Sequence, residues 1–92
     1  MLVIEISSDG QSPLTLSELY KYNIPAPHDG FSSEINNAVL MRFEDEQDAI
    51  DYSYELDSYA NTIDSRSEEY HIINMLIKAI SEDEFVQSYI QN

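Results

Sequence analysis

The sequence has no cysteine, two glycines, three prolines and only four lysines and arginines, against eighteen aspartates and glutamates. The lack of cysteine excludes disulfides, cysteine-ligated zinc and a thiol nucleophile, and it fits a reducing compartment. With few glycines and prolines, long regular elements are open to the chain. Four basic residues cannot supply the phosphate contacts of a nucleic-acid-binding protein, so the composition excludes direct binding to nucleic acid.

Long apolar runs are absent as well. No stretch approaches the roughly 20 apolar residues of a membrane span. The apolar start of the chain reaches Glu5 too early for a signal peptide. The sequence therefore predicts a cytoplasmic protein with no membrane partner.

What the chain has in excess is negative charge. Its 92 residues predict one domain over 1–92, and a hydrophobic content of 42% predicts that the domain folds. The net charge of −14 lies beyond the magnitude of about 2–8 that is usual for a small domain. Residues 44–92 hold thirteen of the eighteen acids. Such an excess opposes folding by self-repulsion and attracts basic proteins, although adaptation to high salt would also produce it.

Hydrophobic periodicity predicts an α+β fold, with a small sheet of two to three strands packed by an acidic amphipathic helix and C-terminal helices. Alternating residues predict strands at 2–6 and 38–43. Between them we expect a turn at 7–10, a short helix within 14–22 and an ordered loop over 23–33.

The acidic helix is expected over residues 46–61, capped by Asp45 or Glu44. Its apolar residues recur at spacings of three and four: Ala49, Tyr52, Leu56, Tyr59, Ala60 and Ile63. Residues 69–80 fit a helix or a strand, and the preceding cap signal at Ser67 favours the helix. Residues 81–84 (SEDE) form a capping-box pattern, which predicts a terminal helix with an apolar side. That side carries Phe85, Val86, Tyr89 and Ile90.

Carboxylates form the main candidate site. Four of them recur at spacings of four, three and four and fall within about 60° on a helical wheel: Glu44, Asp48, Asp51 and Glu55. Such a row gives the basic groove of a DNA-binding protein the negative charges that DNA phosphates normally supply. A solvated helix face has the same appearance. The full set of predicted partner-binding carboxylates is Glu44, Asp45, Glu46, Asp48, Asp51, Glu55, Asp57, Asp64, Glu68 and Glu69.

An apolar pair, Ile50 and Tyr54, lies on a second strip of the same helix, away from its core side. A pair at this spacing suits a contact with a partner or a dimer contact. Scattered exposed apolar residues explain it equally well. A homodimer would lengthen the charged surface.

Catalytic and metal-binding patterns are weak. His28 and His71 have no recognisable partner that would orient them as a base. The acidic residues 44–48 lack the central glycine and the distal bidentate glutamate of a calcium loop. We therefore predict a protein that is not an enzyme, with no catalytic residue, metal site or cofactor.

The acidic run at residues 43–55 (FEDEQDAIDYSYE), in which tyrosines interleave with carboxylates, resembles the Arn-type anti-restriction DNA mimics of T-even phages. The chain is also similar to them in length, acidity and lack of cysteine. The resemblance implies a homodimer whose surface imitates bent duplex DNA. It implies a target such as the modification-dependent restriction enzyme McrBC, and a host nucleoid protein as a second partner.

Two interpretations follow. In the leading one, the chain inhibits a host DNA-binding defence enzyme by filling its DNA site with carboxylates. In the other, it is a small acidic protein of the immunity or adaptor kind, which binds one partner by shape through Ile50 and Tyr54.

Overall fold

The predicted α+β fold is confirmed by a computed structural model, which describes residues 2–6, 16–33 and 39–91. The described strands are β1 (Leu2–Ile6), β2 (Phe31–Ser33) and β3 (Val39–Phe43). The described helices are α1 (Leu16–Lys21), α2 (Glu46–Ala60), α3 (Glu68–Glu82) and α4 (Glu84–Gln91). The turn predicted at 7–10, and the first residues of the helix and strand predicted to begin at 14 and 38, lie outside the described residues. None of these helices combines the length and apolarity needed to cross a membrane.

The three strands form an antiparallel sheet in the order β1-β3-β2. Alternation in β1 turns Leu2, Ile4 and Ile6 into the core and leaves Val3 and Glu5 exposed. β3 alternates between buried and half-buried residues, so the same face of the sheet receives the helices and the other face is only partly covered.

β2 corrects the prediction of a loop over 23–33, because the last three residues of that segment form a strand. Phe31 pairs with Met41 of β3. A Phe-Ser-Ser segment is too short to show alternation, so only its pairing with β3 identifies it as a strand.

Two long helices close the core. α2 buries Ala49, Tyr52, Leu56 and Ala60, which are the centre of the predicted apolar stripe. α3 buries Ile72, Ile73, Leu76 and Ile80. The helical interpretation of 69–80 is therefore confirmed. Its start is fixed by Ser67, whose side chain accepts a hydrogen bond from the backbone N–H of Tyr70 at 3.1 Å.

The terminal helix begins differently from the prediction. Ser81 is still within α3, and its hydroxyl donates to the Lys78 carbonyl at 3.0 Å, so the capping box at 81–84 is wrong. The cap is Asp83, whose extended backbone ends α3. Its carboxylate accepts the N–H groups of Phe85 at 3.1 Å and Val86 at 3.0 Å.

Only part of the apolar side predicted for α4 is buried. Val86 is buried, whereas Phe85 is 58%, Tyr89 44% and Ile90 64% exposed. An eight-residue helix that contacts both α2 and α3 meets the core along one narrow line, and Val86 occupies that line. The apolar side chains on either side of Val86 stay exposed to solvent.

Tyr52 connects α2 to the segment between α1 and β2. Its hydroxyl donates to the Pro25 carbonyl at 2.7 Å, and its ring lies 5.7 Å from that of Phe43. Burial raises the pKa of Tyr52 well above its usual range, and the nearby Glu55 carboxylate raises it further. Because the folded state holds the phenolic proton more tightly than the unfolded chain, this contribution to stability is complete below about pH 10 and is lost as the pH rises above it.

We expect Tyr52→Phe to weaken this alkaline loss of stability. The wild-type free energy of unfolding should fall above pH 10 by up to about 1.4 kcal/mol per pH unit from this one group. The variant should start about 1 kcal/mol lower at pH 7, because it lacks the hydrogen bond to Pro25. Its curve should then fall less steeply. Urea unfolding at pH 7 to 11.5 measures both effects, and parallel curves would contradict the assignment.

Candidate functional site

The first turn of α2 uses two of the predicted partner-binding carboxylates to hold its own backbone. Asp45 is the N-cap, and its carboxylate accepts the N–H of Asp48 at 2.9 Å. The Asp48 carboxylate reaches back to the N–H of Glu44 at 3.1 Å. Negative charge at this position also interacts favourably with the helix dipole. Asp45 and Asp48 therefore stabilise the helix start, whatever else they bind.

Tyrosine hydroxyls hold two more of the predicted carboxylates where α3 begins. Tyr22 donates to Glu68 at 2.9 Å, and Tyr59 donates to Glu69 at 2.9 Å. Partial burial of Tyr59, followed by its bond to Glu69 and the charge of that carboxylate, raises the pKa of Tyr59. These bonds tie Glu68 to the residue that follows α1 and Glu69 to α2, so both carboxylates have structural roles.

Asp64, in the connection between α2 and α3, has a cation for a neighbour. Its carboxylate lies 3.5 Å from Nε of Arg66 and accepts the backbone N–H of Arg66 at 2.9 Å. Both side chains are exposed, so this pair contributes little to stability. The Arg66 guanidinium does offset the negative charge of Asp64, whereas α2 carries no lysine or arginine beside its acids.

The predicted row of four carboxylates is shortened by the helix boundary. α2 begins at Glu46, so Glu44 precedes the helix and lies outside the row. Asp48, Asp51 and Glu55 remain within about 60° of one another. Two further acids of α2, Glu46 and Asp57, lie about 120–180° from them on the wheel, on the other side of the buried stripe. We call these five residues the α2 acidic surface.

The α2 acidic surface has two flanks, and α2 carries no lysine or arginine to neutralise either. Asp51 accepts the side-chain N–H of Gln47 at 2.9 Å. The side-chain carboxylates of Glu46, Glu55 and Asp57 accept no hydrogen bond from the residues that the structure describes. The two flanks are separated by about the diameter of a helix with its side chains, 10–12 Å. The major groove of duplex DNA is about 12 Å wide.

The predicted contact pair is divided between two environments. Tyr54 is 68% exposed and lies on the crest of α2, between the two acidic flanks. Ile50 is half-buried and packs against the core. Tyr54 is thus accessible to a partner at the centre of the charged surface, while Ile50 mainly serves the fold.

The structure also places two aromatic side chains of α4 beside the first turn of α2, and neither was among the predicted site residues. Tyr89 donates to the side-chain oxygen of Gln47 at 3.0 Å, and Phe85 borders a hollow with Glu44, Asp45 and Glu46. A signal was present in the sequence: the apolar residues of α4 span about 140° on the wheel, more than so short a helix buries.

Neither histidine side chain makes a hydrogen bond to another residue in the described part of the chain. His28 and His71 are both exposed. A broad hollow of about 320 Å³ between β1 and α3 is lined by other residues, with Lys78 next to the acidic side chains of Glu5 and Glu82. Within the described ranges, no three metal-ligating side chains converge.

Carboxylates with a structural role should separate from the others by their effect on stability. Asp45→Ala should lower the free energy of unfolding by about 0.5–2 kcal/mol, because it removes the N-cap. Asp45→Asn should keep most of that stability, since asparagine caps equally well. Glu55→Ala should change it by no more than about 0.5 kcal/mol. Urea unfolding tests the set, and equal losses for Glu55→Ala and Asp45→Ala would show the distinction to be wrong.

Comparison with known proteins adds no family to this description. No protein-family model, curated protein or solved structure matches the chain. The resemblance to Arn-type proteins stays a prediction from length, acidity, lack of cysteine and the run at residues 43–55.

Proposed function

We propose that the chain is a DNA mimic that inhibits a host DNA-binding defence enzyme by occupying its DNA site. The observation that carries the proposal is the α2 acidic surface. Carboxylates lie on two opposite flanks of a helix that carries no lysine or arginine, and the flanks are separated by a distance close to a groove width of DNA. A basic groove built for two phosphate backbones would meet charge on both of its walls.

The energetics of the helix support a role for this charge. Asp48, Asp51 and Glu55 are like charges at spacings of three and four, and each such pair destabilises a helix by a few tenths of a kcal/mol. With a net charge of −14, the whole chain adds further repulsion. A basic partner relieves this repulsion on binding, so the same charges that cost stability contribute to association.

The resemblance to Arn-type proteins supplies the proposed partner: a restriction nuclease such as McrBC, with a nucleoid protein as a second target. It also supplies the proposed homodimer. The compartment that follows is the cytoplasm of an infected host cell. No enzymatic activity, cofactor or nucleic-acid ligand belongs to this proposal.

Removing charge from the α2 acidic surface should weaken inhibition of such a nuclease. Asp51→Asn, Glu55→Gln and Asp57→Asn together remove three exposed charges at nearly constant shape. We expect the inhibition constant for DNA cleavage to rise about 10- to 100-fold, because exposed ion pairs contribute up to about 1 kcal/mol each. Raising the salt concentration should weaken the wild type in the same direction.

The matched control removes equal charge elsewhere. Glu5→Gln, Asp29→Asn and Glu82→Gln are also exposed, and they bring the net charge to the same −11, that is, −14 plus three. This control should inhibit within about threefold of the wild type. If both triple variants weaken inhibition equally, general acidity and not the α2 acidic surface is responsible. Inhibition that is unchanged in high salt would contradict mimicry.

The exposure of Tyr54 favours one second candidate, a protein of the immunity or adaptor kind that recognises a single partner by shape. An exposed tyrosine at the centre of a surface is a frequent anchor of protein interfaces. In that case charge would mainly steer the encounter.

Tyr54→Ala distinguishes the two functions. Recognition by shape predicts that this single change weakens binding more than the triple charge variant does, through faster dissociation. Mimicry predicts the reverse order. Dissociation rates from surface plasmon resonance measure the loss of binding in each variant. Ser58→Ala, on the same exposed side of α2, is the control.

A further inference from the structure

An exposed apolar patch adjoins the acidic start of α2. Phe85 and Tyr89 are one turn apart on α4, about 40° from each other on the wheel, and both are largely exposed. Tyr89 contacts Gln47, in the first turn of α2, through its hydroxyl. Phe85 borders a hollow of about 270 Å³ whose apolar part is Leu2.

The rim of this hollow is acidic. Glu44, Asp45 and Glu46 line it, and none of its described lining residues is a lysine or arginine. Glu84 precedes Phe85 on α4 and is exposed. An apolar surface inside an acidic rim is complementary to an apolar side chain flanked by lysine or arginine.

The size of the patch argues against a second copy of the chain as its occupant. With about 200 Å² for a large side chain, the exposed parts of Phe85 and Tyr89 amount to roughly 200 Å². A stable interface buries about 800 Å² on each partner. A second copy would also bring its own acidic rim against this one. The patch has the size of an anchor within a wider, charge-dominated contact.

We propose that Phe85 and Tyr89 form an apolar anchor for a basic segment of the partner, one that presents an apolar side chain between lysines or arginines. The inference rests on the proposed function and adds to it a feature that DNA lacks. The α2 acidic surface attracts the basic partner. The anchor then makes binding tighter for a segment that carries an apolar side chain than for one that carries only positive charge.

The test uses two synthetic probes of equal charge and the full chain. One is an 18-residue peptide with leucines at helical spacing and lysine elsewhere, and in the other glutamine replaces every leucine. We expect the wild type to bind the leucine peptide about 10-fold more tightly in fluorescence anisotropy. The double variant Phe85→Ala, Tyr89→Ala should lose this preference and keep its salt-dependent binding.

Ile90→Ala is the matched control. Ile90 lies on the same helix and is comparably exposed, but it is on the other side of buried Val86. This variant should keep the 10-fold preference. An equal loss in Ile90→Ala would overturn the assigned location. Circular dichroism of each variant verifies the fold, and the comparison of the two peptides on the wild type needs no variant at all.

The remaining outcomes separate this inference from the proposed function. If the wild type binds both peptides equally and in a salt-dependent manner, the anchor is wrong while charge presentation stands. If it binds neither, both are wrong. If sedimentation shows a dimer that Phe85→Ala, Tyr89→Ala converts to a monomer, the patch is covered by a second copy and the anchor is overturned.

Discussion

The packing of one apolar stripe of α2 is the interaction on which the rest of the structure depends. Ala49, Tyr52, Leu56 and Ala60 are all buried, and they fix how the helix is rotated about its axis. Once this stripe faces the core, every carboxylate of α2 has to project sideways or outward. The two acidic flanks and the exposed crest at Tyr54 are consequences of that rotation.

The predicted partner-binding carboxylates divide into those that support the fold and those that are available to a partner. Asp45 and Asp48 hold the start of α2, while Glu68 and Glu69 accept tyrosine hydroxyls at the start of α3. Local hydrogen bonds and helix dipoles offset part of the repulsion that a net charge of −14 creates. Glu55 and Asp57 have no such bonds among the described residues, so their charge is offset only by solvent, ions or a bound partner.

Much of the fold could be predicted because local patterns decide it. Strong periodicity in α2 and clear N-caps at Asp45 and Ser67 predict helices that the structure contains. β2 could not be predicted, since three residues become a strand only by pairing with β3. The predicted start of α4 was wrong for a related reason. Ser81 and Asp83 both fit the N-cap position, and only the continuation of α3 through Glu82 decides between them.

The sequence predicted which carboxylates belong to the candidate site, and the structure corrected how they are arranged. Ten carboxylates were expected to act together. The structure distributes nine of them among the start of α2, two tyrosine partners, an ion pair and the flanks of α2, and it leaves Glu44 ahead of the helix. The exposure of Phe85 and Tyr89 depends on how narrowly α4 meets the core, which no local pattern encodes. Long-range packing therefore decides which acidic and apolar groups a partner can reach.

Competition with duplex DNA tests the central claim most directly. The chain, fluorescently labelled, is bound to a modification-dependent restriction nuclease and titrated with an unlabelled duplex that carries the recognition site. Mimicry predicts that the apparent Kd of the chain rises in proportion to the DNA concentration, with no ternary complex. A Kd that stays constant while DNA, chain and nuclease sediment together would contradict the account.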